Sequence, residues 1–209
     1  MNSPQINLGI LILAAGESKR LGSPKQLLDW NGETLLQKSI STAKELSSNL
    51  HIQSNIYIVL GAKYEELVQK IHDDTVVICH NEQWFTGIGS SIQCGMEAIT
   101  TNVNVDSVLI ILCDQPFITS EHLQKLVEQF SLSSKGIIAT GYSGINGVPA
   151  IFSKKYFAEL LMLRSEQGAK KLIEKNLSDF VTIIFEDAKI DIDTMEDYNN
   201  ALYLEKKDS

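Results

Sequence analysis

The feature that most constrains this chain is its alternation of short, uninterrupted apolar runs with longer stretches of helical spacing. The runs Leu8–Ala14, Ile56–Leu60, Val76–Cys79, Val108–Cys113, Gly136–Ala139 and Val181–Phe185 are each of strand length. Most lack the polar–apolar alternation of a strand with one wet face, so they read as strands covered on both sides. Between them, Thr34–Leu46, Tyr64–Ile71, Ser90–Ile99, Ser120–Phe130, Lys155–Leu163 and Gly168–Lys175 place apolar residues at i, i+3 and i+4, the signature of helices with one buried face. Strand–helix alternation of this kind predicts an α/β architecture, a mainly parallel sheet with helices on both faces, formed as one domain over residues 1–209. In such sheets ligands gather at the carboxyl ends of the strands, which is where chemistry should be sought.

Charge narrows the partners. A formal net charge of -8 argues against nucleic acid and anionic membranes, which recruit a basic face. The 3 cysteines, Cys79, Cys94 and Cys113, are odd in number and show no C-x-x-C spacing, so neither a disulfide framework nor a zinc site is expected. Met1–Leu8 lacks a basic leader and Leu8–Ala15 is too short to span a bilayer, so a cytoplasmic location is expected. The 4 histidines, His51, His72, His80 and His122, match no catalytic triad and read as surface or packing residues. Residues 141–147 form a glycine-dense insert, read as a turn that could serve as an acceptor loop. Thr194 and Asp197 have capping-box spacing and should start a last helix reaching Glu205, leaving Lys206–Ser209 as a frayed tail.

The strongest local signal follows the first strand: Leu13-Ala14-Ala15-Gly16-Glu17-Ser18-Lys19-Arg20-Leu21-Gly22-Ser23-Pro24-Lys25-Gln26-Leu27-Leu28. Ala14, Ala15 and Gly16 let a ligand approach the backbone so that successive amides can meet phosphate oxygens. Lys19, Arg20 and Lys25 concentrate cations in an otherwise acidic chain, arginine as a two-pronged clamp and lysine as a point charge. A triphosphate fits this loop. The loop is not a Walker A motif, because no Gly-Lys-Ser/Thr unit follows Gly16 at the required spacing, and Gly87-Ile88-Gly89-Ser90-Ser91 lacks the third glycine of a dinucleotide fingerprint.

Asp114 ends the run Val108–Cys113 and should project from the carboxyl edge of the sheet. Magnesium in phosphoryl-transfer sites is held by one or two carboxylates plus phosphate oxygens, and Asp193 is the second candidate ligand. Asp191 alternates with Asp193 along an extended segment, which predicts that only one of the two reaches the metal. Base recognition is assigned to the main chain of the first loop with Asn81 and the Gly87–Ser91 turn, and Trp84 is left as cleft wall or core.

The string Leu13–Leu28 resembles the signature L-A-A-G-x-S-x-R-x-G-x-P-K-x-L-L of the molybdenum cofactor nucleotidyltransferases, especially the cytidylyltransferases. Further matches span nearly the whole chain: Asn81, Trp84 and Gly87; Ser91 and Gly95; Asp114-Gln115-Pro116; Gly147 and Pro149; and Asp191-Ile192-Asp193-Thr194 with Glu196 and Asp197. The resemblance implies a three-layer α/β/α Rossmann-like nucleotide-diphospho transferase fold, Mg²⁺ on Asp114 and Asp193, and transfer of CMP from CTP to molybdopterin or another phosphorylated acceptor. It implies catalytic Lys25, Arg20 and Asp114, and nucleotide binding by Leu13, Ala14, Ala15, Gly16, Asn81, Gly87 and Ser91. A molybdoenzyme or its chaperone is the implied downstream partner, and the Ala14–Ala15 pair is similar to that of CTP rather than GTP users. The chain departs from the family pattern at Cys113, where glycine is common, at Val148 of Gly147-Val148-Pro149, and at Ser165-Glu166-Gln167-Gly168-Ala169-Lys170, where Gly-Asp-x-Gly-Ala-Arg is usual. Transfer to a sugar or polyol phosphate is an alternative reading. A non-catalytic carrier that binds a nucleotide-bearing cofactor is another.

Overall fold

The computed structural model describes residues 6–50 and 52–208; the reading of His51 and the start of the chain through Gln5 lie outside these residues, as does Ser209. The central sheet contains β1 (Asn7–Ala14), β4 (Gln53–Leu60), β5 (Val76–His80), β6 (Ser107–Leu112), β7 (Ile137–Tyr142), β8 (Ile145–Ser153) and β9 (Phe180–Ile184), in the order β5-β4-β1-β6-β8-β7-β9. β1 lies in the middle, parallel to β4 through Ala14–Leu60 and to β6 through Leu13–Leu112. A small ribbon, β2 (Asp29–Trp30) with β3 (Glu33–Thr34), follows the first loop.

The pleat of β1 sends alternate side chains into two cores. Leu8, Ile10, Ile12 and Ala14 pack with Leu36, Ile40 and Leu46 of α1 (Leu35–Leu50) and with Leu123 and Leu126 of α4 (Ser120–Leu132). Leu11 and Leu13 pack on the other face with Ile92, Met96 and Ile99 of α3 (Ile88–Thr101), beside α5 (Phe157–Leu161) and α6 (Ala169–Lys175). This is the three-layer arrangement that two-sided apolar strands require. The short α2 (Tyr64–Val68) follows β4, and α7 (Met195–Asp208) closes a third cluster around Trp30, Leu35, Ile192 and Ala201. α7 includes Lys206 and Lys207, so these residues are helical and not a frayed tail. Its start is the expected capping box: Thr194 N donates to Asp197 Oδ2 at 2.8 Å and Asp197 N to Thr194 Oγ1 at 3.1 Å.

The glycine-dense insert is not a free loop. It is the tip of a β-hairpin, with Tyr142 paired to Ile145 across the Ser143–Gly144 turn, and its second arm, β8, runs antiparallel between β6 and β7. A proline normally argues against a central strand because it cannot donate to the ladder. Here the register steps from Ala139–Ala150 to Thr140–Gly147, so Val148 and Pro149 stand in a bulge outside the ladder. Ile110 pairs with Ala150 and β6 ends at Leu112, so β8 residues before Val148 run past the carboxyl end of β6. The hairpin tip therefore stands over the sheet edge that also carries Asp114.

Candidate active site

The loop after β1 is organised by where its carbonyl groups point. Leu13 O accepts from Cys113 N at 3.2 Å, and Ala15 O from Ala62 N at 3.0 Å. Ala14 O and Gly16 O both accept from the Gln26 carboxamide Nε2, at 2.7 and 2.9 Å. Four consecutive carbonyl oxygens are thus engaged by protein donors. The backbone N–H groups from Gly16 to Arg20 have no hydrogen-bond partner among the described residues. A loop whose acceptors are occupied and whose donors are free attracts an anion. Its far end is tied back by Lys25 N, which donates to Ser18 Oγ at 3.0 Å.

Pro24 leads into a 3₁₀ turn, Lys25–Leu27, that aims two neighbouring side chains differently. Gln26 turns back under the loop, while Lys25 Nζ lies 2.5 Å from Asp114 Oδ2 and 2.9 Å from Asp193 Oδ1. Arg20 donates to Asp193 Oδ2 at 2.6 Å. The two carboxylates, 79 positions apart in sequence (193 − 114), are held together by the backbone bond from Ile192 N to Asp114 O at 3.0 Å. Burial by itself would lower the Lys25 ammonium, but the Asp114 carboxylate outweighs it and the net shift is upward. Partial burial would raise Asp193, whereas Lys25 and Arg20 together hold it below its ordinary value. Asp191 feels the same centre: crowding of its carboxyl by protein and the charge of Asp114 raise it to about 6, although the residue retains solvent access.

These residues fit a divalent cation. Asp114 Oδ1 is buried with no hydrogen-bond partner, an oxygen left free beside a carboxylate already shared with a cation. Among the described residues no group of three or more His, Cys, Asp or Glu could hold a metal unaided. An ion here would take Asp114, Asp193 and oxygens from a phosphate, the donor set expected of a nucleotide-borne metal.

The first loop, Lys25, Asp114 and Asp193 line one cleft of about 450 Å³. Leu13, Ala14, Ala15, Gly16 and Arg20 form one side of it, and Gly87 and Ser91 stand at the start of α3 opposite. Asn81 does not line this cleft. It is buried, donates to Ser90 Oγ at 2.9 Å and Ser91 Oγ at 3.0 Å, and accepts from Gln83 N at 2.9 Å. With its side-chain polar atoms committed to the turn before α3, Asn81 is placed to position Ser91. Gly87 has φ +114°, and a Cβ there would lie 2.6 Å from the Ser165 backbone. Its glycine seats the 164–166 segment against α3, which brings Glu166 to the cleft. Gln26, Phe85 and Glu166 also border the cleft and were not among the expected site residues, and Trp84, read as cleft wall or core, borders it too. The aromatic pair had a local signal, two adjacent rings ahead of a glycine turn, and Phe85 remains 70% exposed. Gln26 had only its place beside Lys25.

The model of the MobA-like NTP transferase domain matches residues 10–180. The chain belongs to the MobA-like NTP transferase domain family. This nucleotidyltransferase is 27% identical to the molybdenum cofactor cytidylyltransferase of Escherichia coli K12, over 91% of this chain and 93% of that protein. It is 28% identical to the purine catabolism protein PucB of Bacillus subtilis 168, over 95% and 97% of the two chains. The crystal structure of Rv0371c from Mycobacterium tuberculosis H37Rv matches with a TM-score of 0.82 at 22% identity, covering 95% of this chain and 99% of that one. A manganese complex of Rv0371c matches with a TM-score of 0.77 at 21% identity, over 95% and 98%. The fold of this transferase is therefore that of solved relatives along nearly its whole length.

Proposed function

We propose that this protein is a magnesium-dependent cytidylyltransferase that moves CMP from CTP to the phosphate of a molybdopterin-type acceptor and releases pyrophosphate. The observation that carries the reading is the meeting, in one cleft, of a loop with free amide donors, the cations Arg20 and Lys25, and the carboxylates Asp114 and Asp193. The acceptor phosphate is already an anionic nucleophile, so the reaction needs alignment and charge neutralisation more than a base. Its oxygen forms the new bond to the α-phosphorus, and the bond to the bridging oxygen of the β-phosphate breaks, that oxygen leaving with its electron pair. Loop amides receive the triphosphate oxygens, Arg20 clamps the leaving portion, and Lys25 faces charge building near the α-phosphate. Asp114 and Asp193 would hold Mg²⁺, which supplies charge neutralisation on the phosphates; the manganese complex of Rv0371c supports a divalent ion at this fold.

CTP is favoured by the Ala14–Ala15 pair, in which Ala15 limits room beside the base, and by the cytidylyltransferase among the relatives. The β7–β8 hairpin, standing over the edge that bears Asp114, supplies the acceptor side. The free thiols of Cys79, Cys94 and Cys113 suit a reducing cytoplasm, and the product would pass to a molybdoenzyme or its chaperone. The test is pyrophosphate release from CTP, GTP, ATP and UTP with Mg²⁺, with and without molybdopterin. Release should require CTP and molybdopterin together. Equal efficiency with GTP would overturn the nucleotide assignment, and release with a polyol or sugar phosphate in place of molybdopterin would overturn the acceptor.

A further inference from the structure

Gln26 is fully buried, yet it is a polar residue flanked by Lys25 and Leu27 in a turn where leucine or methionine would bury as well. Its carboxamide orientation is set by its neighbours: only the –NH₂ end can face the two carbonyl oxygens of Ala14 and Gly16, because both are acceptors. Both N–H bonds of Nε2 are thereby used on one loop. The other end, Oε1, is buried without a partner. An apolar residue would avoid that unpaired atom, so the polar side chain is retained for its two donors. With Ala14 O and Gly16 O drawn toward Gln26, the peptide planes that follow each are fixed, and their N–H groups at Ala15 and Glu17 are directed away from it.

We propose that Gln26 is a positioning residue that sets the donor polarity of the nucleotide loop, holding the 14–17 backbone in the orientation that receives a triphosphate. The inference rests on the nucleotidyltransferase reading of the cleft. Gln26 does not contact the reacting atoms, so its effect should fall on ground-state capture of the nucleotide and leave the chemical step alone.

The experiment uses the full chain with Mg²⁺ and compares wild type with Gln26→Met, which keeps the length and removes both donors, and Gln26→Glu, which keeps the shape and leaves one donor, because a fully buried carboxyl facing two carbonyl oxygens is held protonated. Equilibrium binding of CTP is measured by titration calorimetry, KM and kcat by pyrophosphate release, and folding by thermal melting. Both variants should melt cooperatively and bind CTP about tenfold more weakly, the scale of one net hydrogen bond, with KM for CTP raised to match and kcat and the acceptor KM unchanged. Gln26→Met should be the weaker binder, because the protonated carboxyl of Gln26→Glu can still donate to one of the two carbonyls. Folded variants with wild-type CTP affinity, or a fall in kcat without a rise in KM, would overturn the positioning role. Loss of the fold in both variants would show Gln26 to be structural and would also overturn it. A wild-type protein that binds none of the four NTPs would instead overturn the nucleotidyltransferase reading itself, a result separable from the others because it needs no variant.

Discussion

Lys25 lies between Asp114 and Asp193, the two carboxylates proposed to hold a divalent ion. Its ammonium bridges Asp114 and Asp193, and its side chain is 12% exposed against 17% for Asp114 and 42% for Asp193. Without this internal cation the two carboxylates would repel, so Lys25 stabilises their approach and would compete with a divalent ion. Breaking a buried pair from one side costs about 3–5 kcal/mol. The Asp193 arm is too accessible to count fully, so the lower end, about 3 kcal/mol, is the appropriate figure for displacing the ammonium. Replacing Lys25 by glutamine removes that cost and the repulsion between ammonium and ion. Mn²⁺ should then bind about a hundredfold tighter to Lys25→Gln than to wild type when no nucleotide is present. The assay is paramagnetic resonance of free Mn²⁺ during titration of each protein, which reports binding without turnover. In wild type, CTP gives Lys25 and Arg20 phosphate oxygens to engage, so nucleotide should raise Mn²⁺ affinity strongly, and in Lys25→Gln this coupling should shrink. If Lys25→Gln, folded by its melting curve, binds Mn²⁺ no tighter than wild type, the displacement argument fails.

Asp114→Asn should lower transfer at least a thousandfold with the melting temperature retained, because a carboxylate ligand is lost at a sheet edge; near wild-type turnover at saturating Mg²⁺ would refute the metal assignment. Arg20→Ala should raise KM for CTP about tenfold with a smaller change in kcat, since a clamp on the leaving portion acts already in the ground state, and steady-state kinetics with a confirmed acceptor would detect the reverse. His122 is buried against Phe185 and bonded through Nε2 to Thr140 Oγ1 at 2.8 Å. The Thr140 hydroxyl is already donated to Pro149 O at 2.6 Å, so Nε2 must be the donor in this bond. Burial and Lys125 lower its pKa from 6.5 to about 4. The neutral ring's contribution is therefore complete above the unfolded value of 6.5, declines as pH falls and is lost by about pH 4. That amounts to about 3 kcal/mol, seen as a steeper acid loss in urea unfolding than His122→Gln shows; equal slopes would refute it.

What could be read in the chain divides by how local the cause is. β1 and its loop were legible because the strand, the small residues and the cations lie within one continuous stretch, Leu8 to Lys25, and each acts through its own position. Asp114 was legible because a buried strand delivers it. Asp193 was legible as a candidate carboxylate, but its approach to Asp114 was not: it depends on the Ile192–Asp114 backbone bond, which no periodicity predicts. The bonding of Asn81 was hidden for a related reason, since an asparagine offers the same donors and acceptor to a nucleobase and to a turn, and the sequence does not show the positions of Ser90, Ser91 and Gln83 that engage it. β8 was missed because Pro149 breaks the strand pattern, and the bulge that accommodates it is a property of pairing with β7. Gln26 belongs with these. A glutamine beside a lysine has no pattern of its own, yet its two bonds fix which way the peptide groups at Ala14 and Gly16 face. The same sixteen-residue stretch, Leu13–Leu28, with its carbonyls turned outward would present oxygens to a triphosphate and repel it. On the proposed nucleotidyltransferase reading, affinity for the nucleotide depends on contacts made behind the loop, from Gln26, Ala62 and Cys113, as much as on the cations Arg20 and Lys25.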